Sequence, residues 1–304
     1  MNKKQVILDM DPGIDDALAL VAALNRLNVL GVSTVAGNAT QEQTFQNAHR
    51  ILQFTRHSTV PVVSGADRPL FYPLLTAEDI HGFSGMGAYN WKAPDVSPGD
   101  ELAWNWMARR LTALSHPCHL IATGPLTNIA MLLWSHPEVQ SQLTSISCMA
   151  GALPGTKMDK TFEFNVYVDP HAADVVFRYG HDVHLIGINA AHSALLPLSE
   201  LERFKKYGRV GHMLFDLLGF YAEHARGEGG DPSAMPLDDA MVVAATDAPK
   251  MFQWEEMPLT VVREGPLRGT VVVAPYESKR APVKIATTVD VSQFFEWLWA
   301  SLDE

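Results

Sequence analysis

The chain is poor in cysteine and has neither a long apolar run nor a basic stretch, and each absence narrows what it can be. Its 304 residues include 2 cysteines, Cys118 and Cys148. That is too few for a disulfide framework, and neither belongs to a C-x-x-C pair or a Cys/His cluster of the kind that holds zinc. They read as buried thiols of a reducing compartment. No apolar run approaches the roughly 20 residues needed to cross a bilayer. The opening M-N-K-K-Q-V-I-L-D breaks its apolar stretch at Asp9, too early for a secretory signal. A cytoplasmic protein without a membrane partner is expected. Lys and Arg number 23 against 34 Asp and Glu, a formal net charge of -11, and no Lys/Arg-rich segment stands out. A nucleic-acid partner is therefore not expected. No repeat, low-complexity tract or clear linker divides the chain, so residues 1–304 are expected to form a single domain.

What is present is an alternation. Hydrophobic residues make up 47% of the chain, enough for a sizeable core. Strand-like runs occur at V-I-L-D-M, 29–37, 60–65, 119–124, 145–151 and 182–189, and helix-like segments lie between them. This pattern predicts an α/β fold, an open, mainly parallel central sheet with helices on both faces. Residues 198–226 read as a longer, more polar helix, followed by a Gly/Pro-rich loop at 227–236 and another helix at about 237–245. L-T-V-V-R-E and T-V-V-V-A-P, separated by G-P-L-R-G, predict a C-terminal β-hairpin before a last helix, V-S-Q-F-F-E-W-L-W-A.

In such sheets ligands bind beyond the carboxyl ends of the strands, so the residues that end each strand are the informative ones. The first strand ends D-M-D-P-G-I-D-D, which crowds Asp9, Asp11, Asp15 and Asp16 together. The second ends V-A-G-N at Asn38, the fourth leads into A-T-G-P-L-T-N with Thr123 and Asn128, and the fifth leads to F-E-F-N with Glu163 and Asn165. A late helix opens L-D-D-A with Asp238 and Asp239. Asp15 or Asp16 could serve simply as a helix cap, but a cap leaves Asp9 and Asp11 unexplained. Like charges this close repel, and each costs free energy to bury unless a positive charge compensates. A hard cation with oxygen ligands meets that need. Carboxylates from one tight loop plus one from a remote helix suit the irregular coordination of Ca²⁺ better than the octahedron of Mg²⁺.

Taken together and in this order, D-M-D-P-G-I-D-D-A, V-A-G-N, I-H-G-F-S-G-M-G, A-T-G-P-L-T-N-I-A, F-E-F-N with D-P-H-A-A, and L-D-D-A resemble the inosine-uridine preferring nucleoside hydrolases over nearly the whole chain. The resemblance implies a Rossmann-like nucleoside hydrolase fold and a Ca²⁺-dependent enzyme that cleaves a small-molecule ribonucleoside to ribose and free base. It implies that Asp11 is a calcium ligand and the base that activates a calcium-bound water, and that Asp16, Asp239 and the carbonyl of Thr123 complete the metal set. Asp15, Asn38, Glu163 and Asn165 would hold the ribose hydroxyls, Met149 would pack by the sugar, and Asp9 would support the cluster. A homodimer or homotetramer is implied by analogy.

Two positions depart from the family's pattern. A His that commonly precedes the late metal Asp and serves the departing base is replaced by Asp238, and an Asn that contacts the ribose 5′-hydroxyl is replaced by Thr161. His81, in the retained I-H-G, becomes the leading candidate for helping the leaving group, against a role in fixing the turn before Gly82. Tyr221, His224 and Glu228 are further candidates on the base side, as are Trp91, Phe83 and Met86 in apolar contact. His49, His116, His119, His181 and His184 fall away from the motifs and are expected to be structural. The departures also motivate an alternative, a catalytically impaired nucleoside- or ribose-binding protein on the same fold. A haloacid-dehalogenase-type phosphatase, whose first strand ends D-x-D-x-T/V, is disfavoured because Gly13 stands at the Thr/Val position.

Overall fold

The structure is a computed structural model that describes residues 3–89, 94, 96–154, 162–224, 231–276 and 279–303. From the N-terminus it runs β1 (Gln5–Met10), α1 (Ile14–Arg26), β2 (Asn28–Thr34), α2 (Gln41–Phe54), β3 (Val62–Ser64), α3 (Glu78–His81), α4 (Ala103–Thr112), β4 (Cys118–Ala122), α5 (Thr127–Ser135) and β5 (Leu143–Met149). It continues through α6 (Phe164–Val168), α7 (Pro170–Tyr179), β6 (Val183–Ile186), α8 (Ile188–Ala191), β7 (Leu196–Pro197), α9 (Gly208–His224), β8 (Ala234–Met235) and α10 (Asp238–Asp247). The C-terminal part holds β9 (Phe252–Met257), β10 (Leu259–Val261), β11 (Val271–Val273), β12 (Val283–Val289) and α11 (Val291–Ala300).

The eight-stranded central sheet has the order β3-β2-β1-β4-β5-β6-β12-β9. All neighbours pair in parallel except β12 with β9. Side chains alternate across β1: Val6, Leu8 and Met10 join the core on one face, with α1, α9, α10 and α11, while Ile7 joins the other, with α4, α5 and α7. Both faces are covered, so β1, β2, β4, β5 and β6 are mostly apolar, which is why their runs stood out in the sequence.

The six expected strands and the β10/β11 hairpin are present. The sheet also takes two strands that the sequence reading missed. β9, F-Q-W-E-E-M, is an edge strand with Gln253, Glu255 and Glu256 exposed, so it lacks an apolar run. β12, V-K-I-A-T-T-V, mixes Lys and Thr into its pattern and lies beyond the hairpin that drew attention first. The helix expected over 198–226 is two pieces, a 3₁₀ segment at Leu198–Tyr207 and α9, meeting at Gly208; residues 225 and 226 lie outside the described residues.

The topology sets the site. The chain runs outward through β2 and β3, then returns to place β4 on the other side of β1, so the direction of winding reverses between β1 and β4. The loops after these two strands diverge to opposite faces and leave a crevice between them, where open α/β sheets bind ligands.

Candidate active site

β1 delivers Asp9 and then Asp11 to that crevice, and all four acidic residues of the opening motif are buried. Asp9 faces α5, where its Oδ1 accepts from Ser33 Oγ (2.6 Å) and Asn128 Nδ2 (2.8 Å). Asn128 also donates to the carbonyl of Thr34 and accepts from the N–H of Ala66, so it ties three strand ends together. Burial pushes Asp9 up to about 7 against these two hydrogen bonds.

Asp11 Oδ2 accepts from the Asn38 N–H at 2.7 Å, whereas its Oδ1 is buried with no hydrogen-bond partner. Backbone closes in on this carboxylate: a Cβ on Gly37 would overlap Asp11 Oδ2, so V-A-G-N needs glycine there. The turn at Pro12 and Gly13 then opens α1. Asp16 caps it by accepting from the Gly13 N–H (2.9 Å), and also takes Asn38 Nδ2 (3.0 Å) and Thr123 Oγ1 (2.6 Å). The cap reading of Asp16 is therefore correct as far as it goes, and the same carboxylate reaches across the switch point to β4.

The opposite wall comes from α10, whose first turn carries Asp239. Ligand oxygens of Asp15, Asp16 and Asp239 all lie within 4.8 Å of one another. Burial first, then the neighbouring carboxylates, raise Asp239 well above the usual range. Burial and Asp16 do the same to Asp11, and burial and Asp15 carry Asp16 to about 6. Four buried acids that oppose one another's ionisation need a cation if they are to be charged together at neutral pH. The donors are all oxygen, with an orphaned carboxylate oxygen on Asp11, and this set fits a hard divalent ion. Asp11 is not one of the three mutually close carboxylates, and Asp15, expected on the sugar, is.

Beyond β5, Asn165 Nδ2 donates to the carbonyls of Thr123 (2.7 Å) and Met149 (3.2 Å), joining the ends of β4 and β5. Glu163 caps α6, accepting from the N–H groups of Asn165 (2.6 Å), Val166 (3.0 Å) and Gly151 (3.0 Å). Burial still lifts it to about 7. Thr161, Trp91 and Glu228 lie outside the described residues.

His81 is brought to the opening motif from α3. Its Nδ1 accepts from the Ile14 N–H (3.2 Å) and stands 3.9 Å from Asp15 Oδ1, while its ring centre lies 5.6 Å from that of Tyr221. With Nδ1 accepting, the neutral ring carries its proton on Nε2. Met86 is wholly buried in the core and Phe83 is 76% exposed. His224 stacks on Phe220 along α9. Asp238 Oδ1 lies 3.8 Å from Nε2 of His192, which follows α8 beyond the end of β6. The sequence reading passed over His192. Applying the strand-end rule to β6, which runs on into I-N-A-A-H, would have found it.

A parallel sheet with its winding reversed at a crevice lined by buried carboxylates, buried amides and a histidine defines a doubly wound α/β protein with a polar ligand site at its switch point. Comparison with known proteins specifies the class. The sequence profile of the inosine-uridine preferring nucleoside hydrolases matches residues 6–296. The pyrimidine-specific ribonucleoside hydrolase RihA of Salmonella paratyphi A is 35% identical over 274 residues, covering 89% of this chain and 88% of that protein. A purine-preferring ribonucleoside hydrolase from Gardnerella vaginalis superposes with a TM-score of 0.91 at 27% identity, covering 98% of both chains. A plant nucleoside hydrolase superposes at 0.92 and 28%, covering 99% of both. The chain belongs to the inosine-uridine preferring nucleoside hydrolase family. It is an N-ribosyl hydrolase that cleaves the N-glycosidic bond of small-molecule ribonucleosides.

Proposed function

We propose that this hydrolase holds one Ca²⁺ through Asp11, Asp16, Asp239 and the Thr123 carbonyl, with Asp15 between ion and ribose, and that Asp11 is the catalytic base. The observation that carries the reading is the convergence of buried carboxylates on the β1/β4 crevice, with Asp11 Oδ1 lacking any hydrogen bond. When bound, the ion would neutralise the converged charge, acidify a neighbouring water and grip vicinal sugar hydroxyls.

The chain's own groups then have defined work. Asp11 takes a proton from water as the water oxygen bonds to the anomeric carbon, and the electrons of the C–N bond leave with the base. Positive charge grows on the ribose as that bond lengthens, and nearby carboxylates favour it. Asn38, Glu163 and Asn165 hold the ribose, with Met149 packed beside it. His81 stands on the side of the departing base and donates a hydrogen bond from its Nε2–H to the negative charge that develops there, and Asp238 flanks the same side.

Pyrimidine ribonucleosides are the proposed substrates, by likeness to the pyrimidine-specific relative. We read the chain as one domain, since its central sheet draws strands from residues 5 to 289, and as a homodimer or homotetramer of the cytoplasm. Among the described residues no helix is long and apolar enough to cross a membrane. The test is ribose release from uridine, cytidine, inosine and adenosine before and after chelation and refilling with Ca²⁺. Release from the pyrimidines, lost on chelation and restored by Ca²⁺, is expected. Purine-only release would overturn the substrate reading, and activity indifferent to chelation would overturn the metal.

A further inference from the structure

α2 begins three residues after Asn38 and runs beneath the loop that follows His81, and two of its side chains, Gln43 and Asn47, bind backbone of that loop. Gln43 Nε2 donates to the carbonyl of Phe83 (2.7 Å). One turn on, Asn47, wholly buried, donates from a single Nδ2 to two carbonyls, Pro12 (2.9 Å) and Ser84 (2.8 Å). The orientation of that amide is fixed by its other end, because Oδ1 accepts from Arg50 Nη1 at 2.8 Å and a cation cannot face an NH₂ group. Both protons of one nitrogen are thus spent on two segments 72 positions apart in the chain, residue 12 in the acidic turn and residue 84 in the loop after His81. Gly85 sits against the same nitrogen with φ of 77°, and a Cβ there would lie 3.0 Å from it. The loop has no room for a side chain where it meets Asn47.

We infer that Asn47 is a positioning residue that sets the spacing between the acidic turn and the loop after His81, and through it the placement of His81 against the leaving base. The inference rests on the reading of His81 as the group on the base side. The geometry favours it over a purely packing role for two reasons. His81 makes its own contact with the turn through the Ile14 N–H, so Asn47 and His81 brace the same two segments from opposite ends. Asparagine is also the residue type whose planar NH₂ can serve two carbonyls at once, which no apolar residue of that size can do.

The test compares uridine with p-nitrophenyl β-D-ribofuranoside, whose leaving group departs as a stable anion and needs no proton. In Asn47→Ser the double donation is lost, and in Asn47→Asp a carboxylate is set against two carbonyl oxygens. Melting curves establish that each variant is folded at the assay temperature. We expect kcat/KM on uridine to fall about tenfold or more, a share of the roughly 10²- to 10³-fold that one hydrogen-bond donor to a developing charge contributes. On the p-nitrophenyl riboside the fall should be several-fold smaller. His81→Ala should show the same selectivity, and adding Asn47→Ser to it should cost little more. A folded Asn47 variant that loses both substrates equally, or that costs as much in the His81→Ala background as alone, overturns the inference while leaving His81 in place. If His81→Ala itself shows no selectivity, the reading of His81 falls and the inference falls with it.

Discussion

Each carboxylate of D-M-D-P-G-I-D-D has a different set of neighbours, and the neighbours fix what each can do. Asp9 Oδ1 is taken up by Ser33 and Asn128, which tie β1 to β2 and α5. Asp11 keeps one oxygen on the Asn38 N–H and one without a hydrogen-bond partner, as the proposed base requires. In Asp11→Asn the amide oxygen can still accept from Asn38, so the fold should survive. Ribose release should drop by about 10³-fold or more, within the range for removing a general base. Steady-state kinetics beside a circular-dichroism melt check this: turnover near wild type would remove the assigned role.

Among elements, α10 and the β10/β11 hairpin matter most to the site. α10 presents Asp239 at its first turn, and its far end is pinned. Lys4 Nζ donates to the carbonyls of Thr246 (2.7 Å) and Asp247 (3.1 Å), as a cation at a helix C-terminus should. Arg26 and Trp297 both hold Asp247 Oδ2 at 2.9 Å. The hairpin lies over the other side of the crevice, with Val271 against Gly151, whose N–H supports Glu163. Its Arg268 is sandwiched between the rings of Tyr72 (4.1 Å) and Tyr167 (3.9 Å).

Asp174 on α7 anchors this hairpin, taking Thr260 Oγ1 (2.8 Å), the Val261 N–H (3.2 Å) and the Arg280 guanidinium (2.9 Å). Burial pushes Asp174 up, but Arg280 and Thr260 outweigh it, and its folded-state value lies below the ordinary one. A depressed carboxylate contributes stability above its unfolded pKa of about 4 and loses it as the pH falls through the folded value. Asp174→Asn should therefore cost about 1–3 kcal/mol at pH 7, and the difference in Tm from wild type should shrink below about pH 4. A gap constant from pH 7 to 3 would show that the charge contributes nothing.

For the whole molecule the decisive feature is that the site unites residue 11 with residue 239 across the sheet. A ligand that binds only the folded protein stabilises all of it. With free Ca²⁺ roughly 1,000 times its Kd, the gain is about 4 kcal/mol, a rise in Tm on the order of 10 °C for a chain of this size. Differential scanning calorimetry of chelated and Ca²⁺-loaded protein checks this. An unchanged Tm would argue against an ion within the carboxylate cluster.

Much of this was legible in the chain. The apolar runs of β1, β2, β4, β5 and β6 show because strands buried on both faces are mostly apolar, and the acidic turn shows because strand end, turn and helix start are contiguous. The edge strand β9 did not show, because a strand with Glu255 and Glu256 in water carries no such run. Sequence by itself determined most of the elements and the residues at their ends, because backbone geometry and turn chemistry act between near neighbours. Only the tertiary structure decided which ends meet. Asp15 joins Asp16 and Asp239, His192 lies beside Asp238, and Asn47 spans two loops. Those meetings follow from the order in which strands pack around the β1/β4 switch, and strand order is settled by the burial of whole faces rather than by any local signal.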